Sequence, residues 1–236
     1  MLLAYCLALL FVTGAIAEVF YHRYVGHQAF KLSPRMESAI MYLGSALGMG
    51  SPITWALLHR YHHAYTGTDK DPHPVELCGW RAMLLPNKPK QFGLGRDLLK
   101  NKRLVRGHKT CDRIHNTVVM VCLIGGFLFE NYYLLVTAIL PLFYIRFLER
   151  VVAVYLLHKI GYRLFPTKDD SRNCVWAFPF IFGGAWHNNH HRYPNSADYG
   201  VLRYEIDPYY WLIKLIGYDC ITHRARALTD YNRKAK

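Results

Sequence analysis

Three histidines, His187, His190 and His191, stand at positions i, i+3 and i+4 of the stretch Trp186-His187-Asn188-Asn189-His190-His191. On a helix turning about 100° per residue they fall within about 60° of one another and make one imidazole face. His59, His62 and His63 repeat that spacing. His22 and His27 close a segment that begins as an apolar run. Neutral imidazole nitrogen is the commonest protein ligand of iron, copper and zinc, so the chemistry to expect is metal binding. The first pair is awkward. Residues i and i+5 lie about 140° apart on an ideal helix, so a chain break near Gly26, or a metal lying across the helix end, is needed to bring His22 and His27 together.

These three groups, in this order, resemble the histidine boxes of the membrane-bound fatty acyl desaturases: His22-Arg23-Tyr24-Val25-Gly26-His27, then His59 to His63, then His187 to His191. The resemblance runs from about Gly14 to Tyr218, and the HxxxxH form of the first box is similar to that of the carbon-nine type. It implies an all-α fold: integral membrane helices topped by a cytoplasmic helical cap that holds a histidine-ligated dimetal site. It also implies two iron ions, with zinc as the substitute in recombinant material, and dioxygen as co-substrate. His158 enters the ligand set through the same resemblance, because it lies upstream of the third box at a similar distance. The implied set is then His22, His27, His59, His62, His63, His158, His187, His190 and His191. The implied reaction inserts a double bond into a saturated acyl chain carried by lipid, CoA or acyl-carrier protein. Electrons would come from a ferredoxin or a b-type cytochrome.

Around the boxes stand residues with two readings each. Asp71-Pro72-His73 looks like the family's tripeptide after the second box, where Asp71 or His73 orients a ligand imidazole; as bare sequence it is equally an Asx-Pro surface turn. Glu18, one turn before His22, is a supporting carboxylate or a helix-end glutamate at the membrane interface. Asn188 sits inside the third box as a further candidate support. Trp55, Trp186 and Lys88 are candidates for the substrate region, Trp55 equally an interfacial anchor. His108, His115 and His223 read as incidental.

Three departures from the family pattern stand out. Only 21 residues precede His22, where similar desaturases have paired spans, and a single crossing there puts Met1 opposite the boxes. Val154 stands where acyl-CoA desaturases resembling this chain carry an Asn whose bridging water reaches a metal. Leu57 and Leu58 replace polar residues that touch CoA, so a lipid-bound or protein-bound acyl chain fits at least as well. Two rival functions share some features: a histidine-box hydroxylase of fatty acids or alkanes, and a histidine-rich metal-binding membrane protein or transporter. A transporter places ligands near the bilayer midplane, whereas here every box flanks an apolar block.

What must position these residues is legible in the patterning. The 236 residues suffice for one membrane-bound domain over residues 1–236. The apolar share of 52% is concentrated in blocks. A formal charge of +13, without any nucleic-acid module, points to an anionic membrane surface or an acidic partner. The six cysteines are scattered without a CxxC pair and read as reduced thiols. Residues 1–21 lack a basic leader and read as a retained span. The segment from Ala39 to Leu58, interrupted by Gly44, Gly48, Gly50 and Ser51-Pro52, reads as an interfacial or re-entrant helix, since a crossing there would separate the first two boxes. Residues 87–113 carry nine basic residues and read as a cytoplasmic loop. Thr117–Phe129 and Tyr132–Ile145 read as a tight helical hairpin about Glu130-Asn131, its second helix running on through Arg146 towards His158. Pro208 to Ile216 reads as an amphipathic helix that caps the site or lies on the membrane.

Overall fold

The computed structural model describes residues 1–73 and 93–234. Helix α1 (Leu2–Ala15) continues without interruption as a π-helix over Ile16–Gly26. Two further helices follow, α2 (Pro34–Ala46) and α3 (Pro52–Tyr65), then the long α4 (Lys102–Leu128) and α5 (Tyr132–Phe143). A second π-helical stretch, Tyr144–Tyr155, and a 3₁₀ turn, Leu156–His158, extend α5. The remainder holds α6 (His187–Arg192), α7 (Pro208–Ile216) and α8 (Arg224–Lys234), tied by isolated β-bridges such as Lys31 to Tyr218 and Asn173 to Trp186.

The helix starts follow from local chemistry. Ser33 and Ser51 accept from the backbone N–H of Met36 and Thr54, and Pro34 and Pro52 occupy the first turns, where a missing N–H costs nothing. Asn101 and Asn131 cap α4 and α5 in the same way. Between α2 and α3 the chain turns through Gly48 (φ 90°) and Gly50 (φ 67°), a left-handed backbone that side chains disfavour. The apolar segment from Ala39 to Leu58 is thus divided, and neither of its helices is long enough to cross a bilayer.

Among the described residues two helical stretches are long and apolar enough to cross: Leu2–Gly26, of 25 residues, with mean hydropathy 2.1 over its apolar 18-residue part, and Lys102–Leu128, of 27 residues, with 1.3 over its apolar 18-residue part. The second corrects the expected loop at 87–113. From Lys102 onward the basic residues lie on the first turns of α4, because Asn101 supplies the cap and no proline interrupts the run into the apolar block. Arg96 and Lys100 lie in the short turns just before α4, and residues 87–92 of that segment, with Lys88 and Lys90, fall outside the described residues. The hairpin is as expected, with its turn at Glu130-Asn131. Its tip lies beside the start of α1, where Tyr5 Oη meets Thr137 Oγ1 at 2.5 Å and the Tyr5 and Tyr133 rings pack edge to face. Leu3, Leu7, Val121, Ile124, Phe127 and Ile139 are all more than half exposed on these helices. An apolar belt of that extent marks membrane association.

At its other end α1 leaves the belt and enters the polar half of the molecule. Its π-helical stretch is buried except at half-buried Tyr24, with Phe20 and Tyr21 fully covered in the core it shares with α2, α3 and α7. The C-terminal elements close over it: Tyr209 and Ile213 of α7 are buried in the same core, while Trp211 and Leu215 face outward. That buried junction of α1, α3, α6 and the end of the α5 extension holds the histidines.

Candidate metal centre

The first pair meets by a route other than a break or an end-on metal. In a π-helix the hydrogen bonds run from i+5 to i, and the His27 N–H indeed donates to the His22 carbonyl at 3.1 Å. The wider turn brings residues five apart onto one face, and the two rings stand 5.2 Å apart.

All nine histidines gather into two groups, one of His22, His27, His59, His63 and His190, the other of His62, His158, His187 and His191. Within each group the nitrogens lie within 4.8 Å of one another. Two imidazoles on opposite sides of one ion, with bonds of about 2.1 Å, stand roughly 4.2 Å apart, so each group is the size of a single-ion shell. The five Nε2 atoms of the first group run in close sequence, His27 to His59 at 2.7 Å, His59 to His63 at 3.0 Å, His63 to His190 at 2.8 Å and His190 to His22 at 3.0 Å. In the second group His187 and His158 approach at 3.1 Å. The two groups touch where the His63 and His191 rings stack at 4.3 Å.

Each HxxHH box serves both groups. In the second box the i, i+4 pair His59 and His63 belongs to the first group and His62 to the other. In the third box the i, i+4 pair His187 and His191 belongs to the second group and His190 crosses over.

Three carboxylates hold the outer nitrogens. Glu18 Oε2 lies 3.2 Å from His22 Nδ1, Asp71 Oδ1 3.0 Å from His62 Nδ1, and Asp169 Oδ2 2.9 Å from His191 Nδ1. A carboxylate at Nδ1 keeps the proton there and turns the Nε2 lone pair inward. His62 Nε2 and His191 Nε2 are buried and have no hydrogen-bond partner among the described residues, a costly state for a polar atom unless something is to be bound there. The donor set therefore fits two metal ions.

The supporting residues sort differently from the expectation. Glu18 and Asp71 touch imidazoles of the two groups. His73 contributes its backbone N–H, to Asp71 Oδ1 at 2.8 Å, while its ring stands 6.3 Å from that of His62. Asn188 reaches none of the nine rings; its Oδ1 accepts from the N–H groups of Leu164 and Phe165, and so it fixes the loop that delivers Asp169. Asp169 went unrecognised in the sequence, where Lys168-Asp169-Asp170-Ser171 looks like any polar turn.

A chamber of about 340 Å³ opens onto both groups, walled by Trp55, Leu58, Ile145, Ala153 and Val154 on its apolar side. Trp55 also stacks on His59, with centroids 4.9 Å apart. Asp112, not singled out in the sequence, and His115, read there as incidental, also line it. Trp186 is not in that wall. It is 1% exposed, donates its indole N–H to the Ile206 carbonyl and packs beneath the third box. Lys88 lies outside the described residues.

Burial first, and the neighbouring histidines second, hold His27, His59, His63, His158, His187 and His190 well below the ordinary imidazole value of 6.5. For Asp71 and Asp169 burial works upward, but hydrogen bonds from His62 and His191 outweigh it and keep both carboxyls below their usual range. The folded protein thus refuses protons that the unfolded chain accepts below about pH 6.5, so stability present above that pH is lost as pH falls. Metal-free protein in detergent should melt at progressively lower temperature between pH 7 and pH 5. A flat melting profile over that window would contradict the buried neutral cluster.

The family model for fatty acid desaturases matches residues 1–219. The chain is 31% identical over 223 residues to an acyl-CoA C20 Delta5-desaturase of Anemone leveillei, an alignment covering 90% of this chain and 70% of that protein. It is 31% identical to Delta-9 acyl-lipid desaturase 1 of Arabidopsis thaliana (87% and 68% covered) and 30% identical to an sn-2 palmitoyl-lipid 9-desaturase of Nostoc sp. (83% and 71% covered).

Proposed function

The chain belongs to the fatty acid desaturase family, and from that premise we propose an oxygen-dependent desaturase whose nine clustered histidines bind two iron ions beside a membrane-fed acyl chamber. It is an oxidoreductase acting on fatty acyl substrates. The observation that carries the finer reading is the convergence of two histidine groups on one apolar chamber. When bound, the ions supply the oxidising power, drawn from dioxygen and two donor electrons, that removes one hydrogen from each of two adjacent carbons.

The protein's own part is placement and exclusion. Trp55, Leu58, Ile145 and Val154 offer a dry wall against which an alkyl chain lies beside both groups. Leaving the bilayer for such a wall avoids exposing methylenes to water, each unfavourable by about 0.8 kcal/mol. Glu18, Asp71 and Asp169 keep the imidazoles turned inward. Helix α7, docked on the π-helical stretch through Tyr209 and Ile213, closes the site to water.

Basic residues at the cap end of α4 (Lys102, Arg103, Arg106, Lys109 and Arg113), set against none at the 130–132 turn, support a cytoplasmic metal site with Met1 on the other face. The same positive surface suits a brief encounter with an acidic ferredoxin or b-type cytochrome. Leu58 in the chamber wall and buried Leu57 support an acyl chain on lipid or on a carrier protein at least as well as one on CoA.

The test is expression in a host lacking desaturases, with total fatty acids read by mass spectrometry. New monounsaturated chains, absent from a His187→Ala control, are the expected result. Hydroxylated chains instead would mean a hydroxylase, and unchanged lipids despite bound metal and a competent donor would defeat the reading.

A further inference from the structure

Helix α6 is six residues long and carries three of the nine histidines. A helix that short is not stable by itself, so the direction of its imidazoles has to be set from outside. Trp186, which precedes it, supplies no capping side chain. The cap comes instead from Asn173, whose Oδ1 accepts from the N–H groups of Asn188 and Asn189 at 2.8 and 3.2 Å. Asn173 is fully buried, and its backbone exchanges hydrogen bonds with that of Tyr162 in both directions. Its Nδ2 donates to Asn189 Oδ1 at 2.8 Å and to Glu205 Oε1 at 3.0 Å. Glu205 is fully buried as well. Its Oε1 also accepts from the Tyr162 hydroxyl at 2.6 Å, and its Oε2 accepts from Asn189 Nδ2 at 2.9 Å and from the N–H groups of Val201 and Leu202, each at 2.8 Å.

A carboxylate that only accepts decides which way round a neighbouring amide sits. The NH2 group of Asn173 has to face Glu205, and its oxygen then has to face α6. We propose that Glu205 and Asn173 are positioning residues of the metal centre: the carboxylate fixes the Asn173 amide, and the amide fixes the direction in which α6 presents His187, His190 and His191. Because α6 supplies His190 to one group and His187 and His191 to the other, a turn of this helix displaces donors of both at once. Glu205→Gln keeps the volume but replaces one oxygen by an NH2 group. At the Oε2 site that group would meet three N–H donors; at the Oε1 site it meets Asn173 and the Tyr162 hydroxyl, which can accept. The second placement forces the Asn173 amide to reverse, and the cap of α6 is lost. The proposal rests on reading the nine histidines as ligands of two ions.

The test uses full-length protein in detergent, stripped of metal, with its melting temperature recorded first. Cobalt(II) is then titrated in the cold and followed by the visible absorption of the bound metal; desaturation is not needed. Glu205→Gln and Asn173→Ala should each keep a cooperative melting transition and bind both cobalt ions about 10–100-fold more weakly, the effect of losing a residue that orients ligands. Tyr162→Phe removes a donor from the same carboxylate but leaves the Asn173 amide as it is, so its cobalt affinity should equal that of the wild type. Wild-type cobalt affinity in Glu205→Gln or Asn173→Ala, whatever their melting temperatures, would overturn the proposal. An equal loss in Tyr162→Phe, or the absence of a folded metal-free state in both other variants, would also overturn it, by making the network a general support of the fold. Failure of the wild type itself to bind cobalt would defeat the ligand-set reading, and the proposal with it.

Discussion

Replacing His190 by alanine should empty one of the two metal positions and abolish desaturation. His190 Nε2 stands 3.0 Å from His22 Nε2 and 2.8 Å from His63 Nε2, linking the first box to the second. It is the single residue that the third box contributes to the first group. Removing a residue that merely orients a ligand costs about 10–100-fold in metal affinity. Removing the ligand itself should cost more than about 100-fold. Metal content per chain is therefore expected to fall from about two towards one, with no unsaturated product. His108→Ala is the matched control, because His108 bonds to Ser51 Oγ and belongs to neither group. Full metal content and activity in His190→Ala would strike that residue from the ligand set.

Why the sequence showed the cluster but not its division is a matter of helix geometry. The spacing i, i+3, i+4 specifies a common face, and that much was legible at His59 to His63 and His187 to His191. Which member of a face turns left or right depends on the partner helix, and the two boxes resolve it in opposite senses. The π-helix was also hidden. Nothing in Glu18-Val19-Phe20-Tyr21-His22 marks a residue for i+5 bonding, and both expectations, a break near Gly26 or a metal lying across the helix end, rested on ideal α-geometry. Asp169 lies 22 positions from His191, and no periodicity connects a loop carboxylate to a distant helix. Asn188 was expected beside the metal because its neighbours in sequence belong to the histidine groups, whereas an α-helix turns adjacent residues about 100° apart. The apolar spans and the hairpin were plain because length and block composition alone determine them. The start of α4 was missed because a charged first half conceals a helix whose second half is apolar.

The second large effect is expected at Asp207, far from any metal in sequence. Arg23 is fully buried, with Nη2 3.0 Å from Asp207 Oδ2 and Nη1 3.2 Å from Oδ1; a further bond from Nη1 reaches the Ala197 carbonyl at 3.1 Å. Glu18, which holds His22, stands 3.7 Å from the same guanidinium. Asp207 also caps α7 and accepts from the Tyr199 N–H. The fit leaves no slack, for a Cβ built on Gly183 would sit 2.1 Å from Asp207 Oδ1. Asp207→Ala therefore leaves a buried cation facing only one more distant carboxylate and removes a helix cap at the same stroke. Breaking a buried pair from one side costs about 3–5 kcal/mol, and a cap about 1 kcal/mol more. The loss should appear as a large drop in melting temperature in detergent, accompanied by release of the ion held through His22. Replacing both partners by apolar residues, as in Arg23→Met with Asp207→Leu, should recover much of the stability but not the orientation of Glu18, so metal affinity should remain low. That separation of stability from metal binding is the signature of a charge network that orients ligands. A single Asp207→Ala variant within about 0.5 kcal/mol of wild type, the range of an ordinary surface change, would show that α7 and the π-helix are held together by their apolar contacts alone.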